Sequence, residues 1–262
     1  MKGHKGKNKA DKSCSMCPNN CCSSDGKSLK CKCDYHSTTG IEVGQSLPPL
    51  EGSTMITSDG VHTFFFSPAI CQGALSWSIG SNACTVISLL TGISFLNNEF
   101  QLPAGHEMPE KVVSMYKEKI IQGNGMYEII DLPDNQMNLS IADIAGQIYL
   151  PIKDPGNWNG IMVDGQGEDN FSCLVAEAIS RPGRKAFVFI LDPDHAFCLC
   201  IDDNTIAVFD SHRSSVSQGA AILFAPLAKV SSFLFIFHAT IRRCYACSIE
   251  GANYVDLQLE NA

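Results

Sequence analysis

The stretch Thr205-Ile-Ala-Val-Phe-Asp-Ser-His212 decides the fold, because it joins an apolar segment to two polar side chains. Its β-branched and apolar residues predict a buried β-strand over residues 205–209. The Asp210 carboxylate and the His212 imidazole follow, and residues two apart in an extended chain point to the same side. The stretch therefore predicts a strand that carries one half of a catalytic site at its end.

Neighbouring segments supply a sheet for this strand. Residues 185–191 and 196–201 are apolar runs, and Asp202-Asp-Asn204 is typical of a hairpin turn that leads into the deciding stretch. A polar loop follows His212, and Gly219-Ala-Ala-Ile-Leu-Phe224 predicts a fourth strand after it.

The segments upstream favour helices. Asn82 is a good N-cap for an apolar helix that starts with residues 83–90 and is expected to end near Gly92. Gly123 is expected to end a second helix that begins near Pro109. Helices first and strands second predict an α+β fold, with N-terminal helices packed on a mostly antiparallel sheet. Other expected elements are a strand over 61–66, short helices over 141–146 and 172–179, and a helix after Pro226.

The composition divides the 262 residues into a basic tail and an acidic body. Eight Lys and three Asp give residues 1–40 a charge of +5, so the total of −8 leaves −13 on the remainder. We expect a Cys/Lys-rich tail and linker over residues 1–50, one folded domain over 55–245, and a C-terminal extension over 246–262.

The same totals exclude some partners. An acidic body argues against nucleic acid as the main ligand of the domain, because phosphate contacts need clustered Lys and Arg. No apolar run approaches the ~20 residues that span a bilayer, and the Lys-rich start has no apolar signal region. We therefore expect no membrane partner and an intracellular location, cytoplasmic or nuclear.

The thirteen cysteines predict metal ligands, a nucleophile or buried thiols. An odd count without a secretory signal argues against a disulfide framework. In the tail, Cys14, Cys17, Cys31 and Cys33 are candidate ligands of a structural zinc, which needs four. Their spacing fits no single zinc-finger class, and a flexible Cys-rich tail is the alternative.

Cys84 is the candidate nucleophile. It follows the loop Gly80-Ser-Asn-Ala83 and lies in the first turn of the expected helix, where the helix dipole and a nearby imidazole favour the thiolate. Cys198 and Cys200 alternate with apolar residues in a strand and are expected in the core, and Cys173 lies in an ordinary apolar helix.

A nucleophilic thiol needs a base, a residue that orients the base, and a donor for the oxyanion. Asp210 can hold one nitrogen of His212 while the other nitrogen faces the thiol. Gln72, twelve residues before Cys84 in a Gly-containing loop, is the first candidate for the oxyanion donor. Asn82 is the second, although we expect it to act as the helix cap.

His195 is the alternative base. It opens the strand before the deciding stretch, and Asp210 lies fifteen residues later at the end of the next strand. Papain-like enzymes commonly place a His at the start of one strand and an Asn or Asp at the end of the next. Cys84 with His195 and Asp210 therefore also fits a papain-type order, and His212 is the preferred base.

Residues 55–242 resemble the deubiquitinating protease domain of herpesvirus large tegument proteins, a divergent papain-like group. The resemblance rests on Gln72 before Gly80-Ser-Asn-Ala-Cys84, on Phe209-Asp-Ser-His212, on the apolar strand after Gly219, and on the closing helix. It implies a papain-like cysteine protease fold.

The resemblance also implies roles and a substrate. Cys84 would be the nucleophile, His212 the base, Asp210 its orienting residue and Gln72 the oxyanion donor, with no cofactor for catalysis. The substrate would be ubiquitin or a ubiquitin-like protein, cleaved after its C-terminal glycine, and an acidic body suits an Arg-bearing modifier tail. The alternative function is a non-catalytic papain-like binding module with a metal-dependent docking tail.

Overall fold

The structure is a computed structural model of the whole chain. It describes residues 22–24, 29–31, 52–74, 82–130, 141–153, 159–161, 167–191, 195–245, 249 and 252–260.

Ten strands are described, in two sheets. In chain order they are β1 (Cys22–Ser24), β2 (Leu29–Cys31), β3 (Thr54–Ser58), β4 (Val61–Phe65), β5 (Asn159–Ile161), β6 (Lys185–Leu191), β7 (His195–Ile201), β8 (Thr205–Asp210), β9 (Ala221–Pro226) and β10 (Asn253–Asp256). β1 and β2 form a separate antiparallel hairpin in the tail. The other eight form one sheet in the order β3-β4-β9-β8-β7-β6-β10-β5, and its neighbouring pairs are antiparallel.

Five α-helices accompany the sheet in the described ranges. They are α1 (Cys84–Leu96), α2 (Glu110–Ile129), α3 (Ile141–Ala145), α4 (Gly167–Ser180) and α5 (Val230–Tyr245), with a 3₁₀ turn (Leu227–Lys229) before α5. None of these helices combines the length and the apolar character that crossing a membrane requires.

The central strands are buried on both faces, which explains why they read as continuous apolar runs rather than as alternating patterns. One face carries Val188, Cys198 and Phe209 and packs against α1 and α2. The other carries Phe189, Leu199 and Val208 and packs against α4 and α5. The sheet is thus the middle of three layers, and the expected α+β class is confirmed, with a cysteine-bearing helix packed on an antiparallel sheet.

Two helices extend past the glycines that were expected to end them. α1 continues through Gly92, where a Cβ would lie 2.4 Å from Leu257 Cδ1. α2 continues through Gly123, where a Cβ would lie 2.4 Å from Ile87 Cγ1. The predicted helix ends near these glycines are wrong, because both residues permit close packing inside a helix and do not terminate one.

The C-terminal boundary also differs from the expected one. β10 lies beyond residue 245, yet it pairs with both β6 and β5, and Val255 and Leu257 belong to the core. Residues 253–256 are therefore part of the main sheet. A four-residue strand with a single buried side chain gives too little periodic pattern to be recognised from sequence.

Candidate active site

Cys84 lies at the N-terminus of α1, as the sequence predicts. Ala83, and not Asn82, is the N-cap residue, and no side chain caps the helix. The Cys84 side chain is buried, and its thiol donates to the main-chain oxygen of Asn82 at 3.9 Å. Because the first amide groups of a helix have no partner within the helix, this position offers donors to a developing negative charge.

Asp210 and His212 are in direct contact at the end of β8. His212 Nδ1 lies 2.7 Å from Asp210 Oδ1, and the His212 main-chain N–H donates to the same oxygen at 3.0 Å. Two hydrogen bonds from one residue to one carboxylate fix both the backbone and the ring. Cys84 is close enough to His212 to raise the pKa of the imidazole, so the three residues form one cluster.

The environment favours the protonated form of His212. Burial disfavours the imidazolium and is the largest single effect, but the charge of Asp210, its hydrogen bond and the proximity of Cys84 together outweigh it and raise the pKa of His212 to about 10. His212 therefore carries a proton at neutral pH.

His195 lies beside the same imidazole. The register between β7 and β8 places Cys198 opposite Phe209, so residue 195 falls opposite residue 212. The two histidine rings are 4.3 Å apart between centroids and inclined by 37°. Burial, and next the neighbouring His212, lower the pKa of His195 to about 4, while Asp210 acts in the opposite direction. The structure thus brings both candidate bases together, one charged and one neutral.

Gln72 is hydrogen-bonded to Ser211, the residue between Asp210 and His212. It is buried, its main-chain N–H donates to the Ser211 carbonyl at 2.9 Å, and the Ser211 hydroxyl donates to Gln72 Oε1 at 3.1 Å. Since Oε1 accepts this bond, the Nε2 end of the amide is left as the donor end. This orientation is the one that an oxyanion donor needs.

Ser211 is a residue that the sequence analysis missed. The alternation of side chains predicts its direction: Asp210 and His212 face one side of the extended segment, so Ser211 faces the other. Ser211 is buried and holds Gln72, while Asp210 and His212 hold each other.

An apolar layer covers the Asp210 side of the site. A narrow cavity of about 40 Å³ lies between the sheet and α5, lined by His195, Asp210 and His212 together with Phe237 and Ile241. An environment of low polarity strengthens the interaction between a carboxylate and an imidazolium.

The remaining cysteine predictions have mixed outcomes. Cys198 and Cys200 are buried in the core, as expected, while Cys173 is exposed on α4. Cys14, Cys17 and Cys33 lie outside the described residues. The backbone of Cys31 lies opposite that of Cys22 in the register of the β1–β2 hairpin. In the described ranges no group of three His, Cys, Asp or Glu residues could hold a metal. The tail zinc stays a prediction.

Two solved structures are similar to this chain. One is the ubiquitin-specific protease encoded by murine cytomegalovirus tegument protein M48, in complex with a ubiquitin-based suicide substrate. The identity is 13%, the TM-score is 0.44, and the match covers 73% of this chain and 83% of that one. The other is the Pseudomonas avirulence protein AvrPphB, with 10% identity, a TM-score of 0.40, and coverage of 68% and 92%. No protein-family model and no curated protein sequence matches the chain.

Proposed function

We propose that the chain is a cysteine protease that cleaves ubiquitin or a ubiquitin-like modifier after its C-terminal glycine. The observation that carries the proposal is the hydrogen-bonded Asp210–His212 pair close to Cys84, with the thiol at a helix N-terminus. A nucleophile, a base in contact with it, and a group that orients the base are the parts that acyl transfer through a covalent intermediate requires. The substrate class follows the resemblance of the sequence motifs.

Cys84 is the nucleophile of the reaction, and His212 moves the proton at each step. The Cys84 proton resides on His212 when the sulfur attacks the glycyl carbonyl to form a tetrahedral oxyanion. The main-chain N–H of Cys84 and Nε2 of Gln72 donate to this oxygen. His212 then gives its proton to the departing amine, and the C–N bond breaks to leave a thioester. Water, activated by His212, hydrolyses the thioester and restores the thiol.

The protonation state of His212 suits the second step. Its pKa of about 10 keeps the imidazolium populated at neutral pH, and this is the form that donates to a leaving amine. Asp210 stabilises that form through the 2.7 Å contact to Nδ1, and Nε2 is then the nitrogen that exchanges the proton with the reacting groups.

An activity probe tests the proposal. Ubiquitin that ends in an electrophile in place of its C-terminal carboxylate should label the wild-type chain covalently and should not label Cys84→Ala. Cys173→Ala is the matched control, because Cys173 is exposed and would be the first thiol to react without specificity. Circular dichroism of each variant shows whether it is folded.

The opposite result identifies the alternative function. If folded wild-type chain is not labelled, or if Cys173→Ala and not Cys84→Ala loses the label, the protease proposal is wrong. A folded chain that binds ubiquitin without forming the covalent product would be a binding module.

A further inference from the structure

A cleft lies at the end of α1 that is opposite to Cys84. Its volume is about 410 Å³, which is within the range of pockets that hold small molecules. The residues that line it include Leu96, Lys153, Arg184, Leu257, Gln258 and Leu259. Because a helix rises about 1.5 Å per residue and α1 spans Cys84–Leu96, the cleft is about 18 Å along the helix from the thiol. The proposed reaction makes no use of it.

Main-chain hydrogen bonds hold the walls of this cleft in place. The Lys153 N–H donates to the Gln258 oxygen at 2.8 Å, and the Leu257 N–H donates to the Ala186 oxygen at 2.8 Å. Leu257 is buried, and a Cβ at Gly92 would lie only 2.4 Å from its Cδ1, so its side chain packs directly on α1. The cleft therefore has a defined shape, formed by segments that are distant in sequence.

Arg184 is held in one orientation at this cleft. Its Nη1 donates to the Phe95 oxygen at 2.7 Å and to the Phe100 oxygen at 2.8 Å, which uses both hydrogens of that nitrogen. Its Cζ lies 4.6 Å from the centroid of the Phe95 ring. A guanidinium group has five N–H donors, so the edge formed by Nε and Nη2 keeps three of them. This edge is suited to bind both oxygens of a carboxylate at once.

The cleft is positively charged although the body of the chain is acidic. None of the described residues that line it is acidic. Two carboxylates directly follow lining residues in the chain, and both have other partners. Glu99 Oε2 lies 3.6 Å from Lys119 Nζ, and Glu260 accepts from the Tyr149 hydroxyl at 3.0 Å. An anion in the cleft would therefore meet two cations without competition from these carboxylates.

We propose that this cleft binds a small monocarboxylate with an apolar chain, such as a medium-chain fatty acid. The Nε and Nη2 groups of Arg184 donate to the two carboxylate oxygens, and the ammonium group of Lys153 adds a second positive charge. The apolar chain lies against Leu96, Leu257 and Leu259, where burial of apolar surface favours binding. A volume of about 410 Å³ admits a short chain and excludes a folded partner. Because the cleft joins distant segments, the bound ligand stabilises the fold.

Calorimetric titration of the whole chain with octanoate tests this site. Wild-type chain should bind octanoate, and its thermal midpoint should rise with the octanoate concentration. Acetate lacks the apolar chain and octanol lacks the carboxylate, so each should bind about tenfold more weakly or worse. N-acetylleucine imitates the C-terminus of a peptide and should also bind more weakly than octanoate.

Four variants locate the octanoate. Arg184→Lys keeps the charge but loses the two-pronged edge, and it should weaken binding about tenfold or more. Lys153→Gln removes an exposed cation and should weaken binding about threefold. Gln258→Trp replaces an exposed side chain with one that fills the cleft, so it should abolish binding without a change of charge. Lys111→Gln removes an exposed lysine at the start of α2 and is the control, with unchanged affinity. The thermal midpoint without ligand shows whether each variant is folded.

Several results would overturn the proposal. Absence of octanoate binding by folded wild-type chain would refute it, and equal affinity for acetate or octanol would show that the cleft does not recognise both parts of the ligand. Tighter binding of N-acetylleucine would make a peptide C-terminus the occupant. Unchanged affinity in folded Lys153→Gln and Gln258→Trp would place the octanoate elsewhere. None of these results affects the protease proposal, because labelling of Cys84 by the ubiquitin electrophile does not involve this cleft.

Discussion

Asp210, Ser211 and His212 are consecutive residues that serve two different partners. Asp210 and His212 are hydrogen-bonded to each other, and Cys84 lies close enough to affect the pKa of His212. Ser211 faces the other side and orients Gln72. Three residues of one extended segment thus connect the expected base, its orienting carboxylate and the expected oxyanion donor. The alternation of side chains along the segment is the physical reason.

Substitution of the two histidines decides which one is the base. We expect His212→Ala to lower turnover of a ubiquitin substrate by about 10²–10⁴, the usual effect of losing a general acid or base. His195→Phe keeps a ring against His212 and should retain turnover within about tenfold. If His195→Phe is inactive and His212→Ala is active, the papain-type order with His195 is the correct one.

The two histidines should also give stability a maximum near neutral pH. The pKa of His212 rises from 6.5 to about 10 on folding, so between these values the native chain binds the extra proton and the free energy of unfolding falls as pH rises. The pKa of His195 falls from 6.5 to about 4, so in that window the unfolded chain binds the extra proton and the free energy of unfolding rises with pH.

Urea unfolding at intervals between pH 4 and 10 measures both slopes. Each fully linked proton contributes about 1.4 kcal/mol per pH unit. His195→Phe should flatten the acidic side of the profile, and His212→Asn the alkaline side. Unchanged slopes in both variants would show that other groups control the pH dependence.

At the scale of elements, the sequence predicts the bounds of the strands more accurately than those of the helices. The apolar run at residues 185–191 is β6 to the residue, since a strand buried on both faces needs little besides apolar composition. The ends of α1 and α2 depend on partners that are distant in sequence. Gly92 and Gly123 look like helix stops locally, and only their contacts with Leu257 and Ile87 show why the helices continue.

Gly219 joins two loops that support the site, and alanine there should be damaging. A Cβ at Gly219 would lie 2.2 Å from the Ser67 carbonyl oxygen and 2.4 Å from that of Ile70, and backbone atoms have little freedom to move. The Gly219 N–H also donates to the Phe66 oxygen at 2.8 Å. We expect Gly219→Ala to cost about 1–3 kcal/mol of stability, as overpacking does elsewhere.

The effect of Gly219→Ala should reach activity as well as stability, because residues 66–70 lead directly to Gln72. Thermal unfolding together with the rate of labelling by the ubiquitin electrophile tests this, and Gly105→Ala is the control, since its added methyl meets no atom within 4 Å. A Gly219→Ala chain with wild-type stability would contradict the packing argument.

At the scale of the molecule, the sheet joins distant parts of the chain. Its order places β10, from the C-terminus, between β6 and β5, while β4 from the start of the body pairs with β9. The Cys84 helix packs on one face and α5 on the other. The site lies where β8 ends and β7 begins, near the centre of the strand order.

Truncation tests this architecture. Removal of residues 250–262 deletes β10 and with it Val255 and Leu257, which are buried against α1 and β6. Loss of two buried aliphatic side chains and a ladder should cost several kcal/mol, and we expect an unfolded or strongly destabilised product. Removal of residues 1–50 should leave the thermal midpoint of the body unchanged, because that segment is polar and Cys-rich. Differential scanning calorimetry of both truncations measures the difference, and a stable chain lacking 250–262 would contradict the central role of β10.

The sequence by itself determined the buried strands, the Asp-Ser-His segment, and the cysteine at a helix start. These features depend on composition and on spacings of one or two residues, which local stereochemistry translates directly into structure. Only the tertiary structure decided where α1 and α2 end, that β10 joins the main sheet, and that His195 and His212 share one pocket with opposite protonation. Those outcomes depend on contacts between segments far apart in the chain, and on burial and charge that arise when the chain folds.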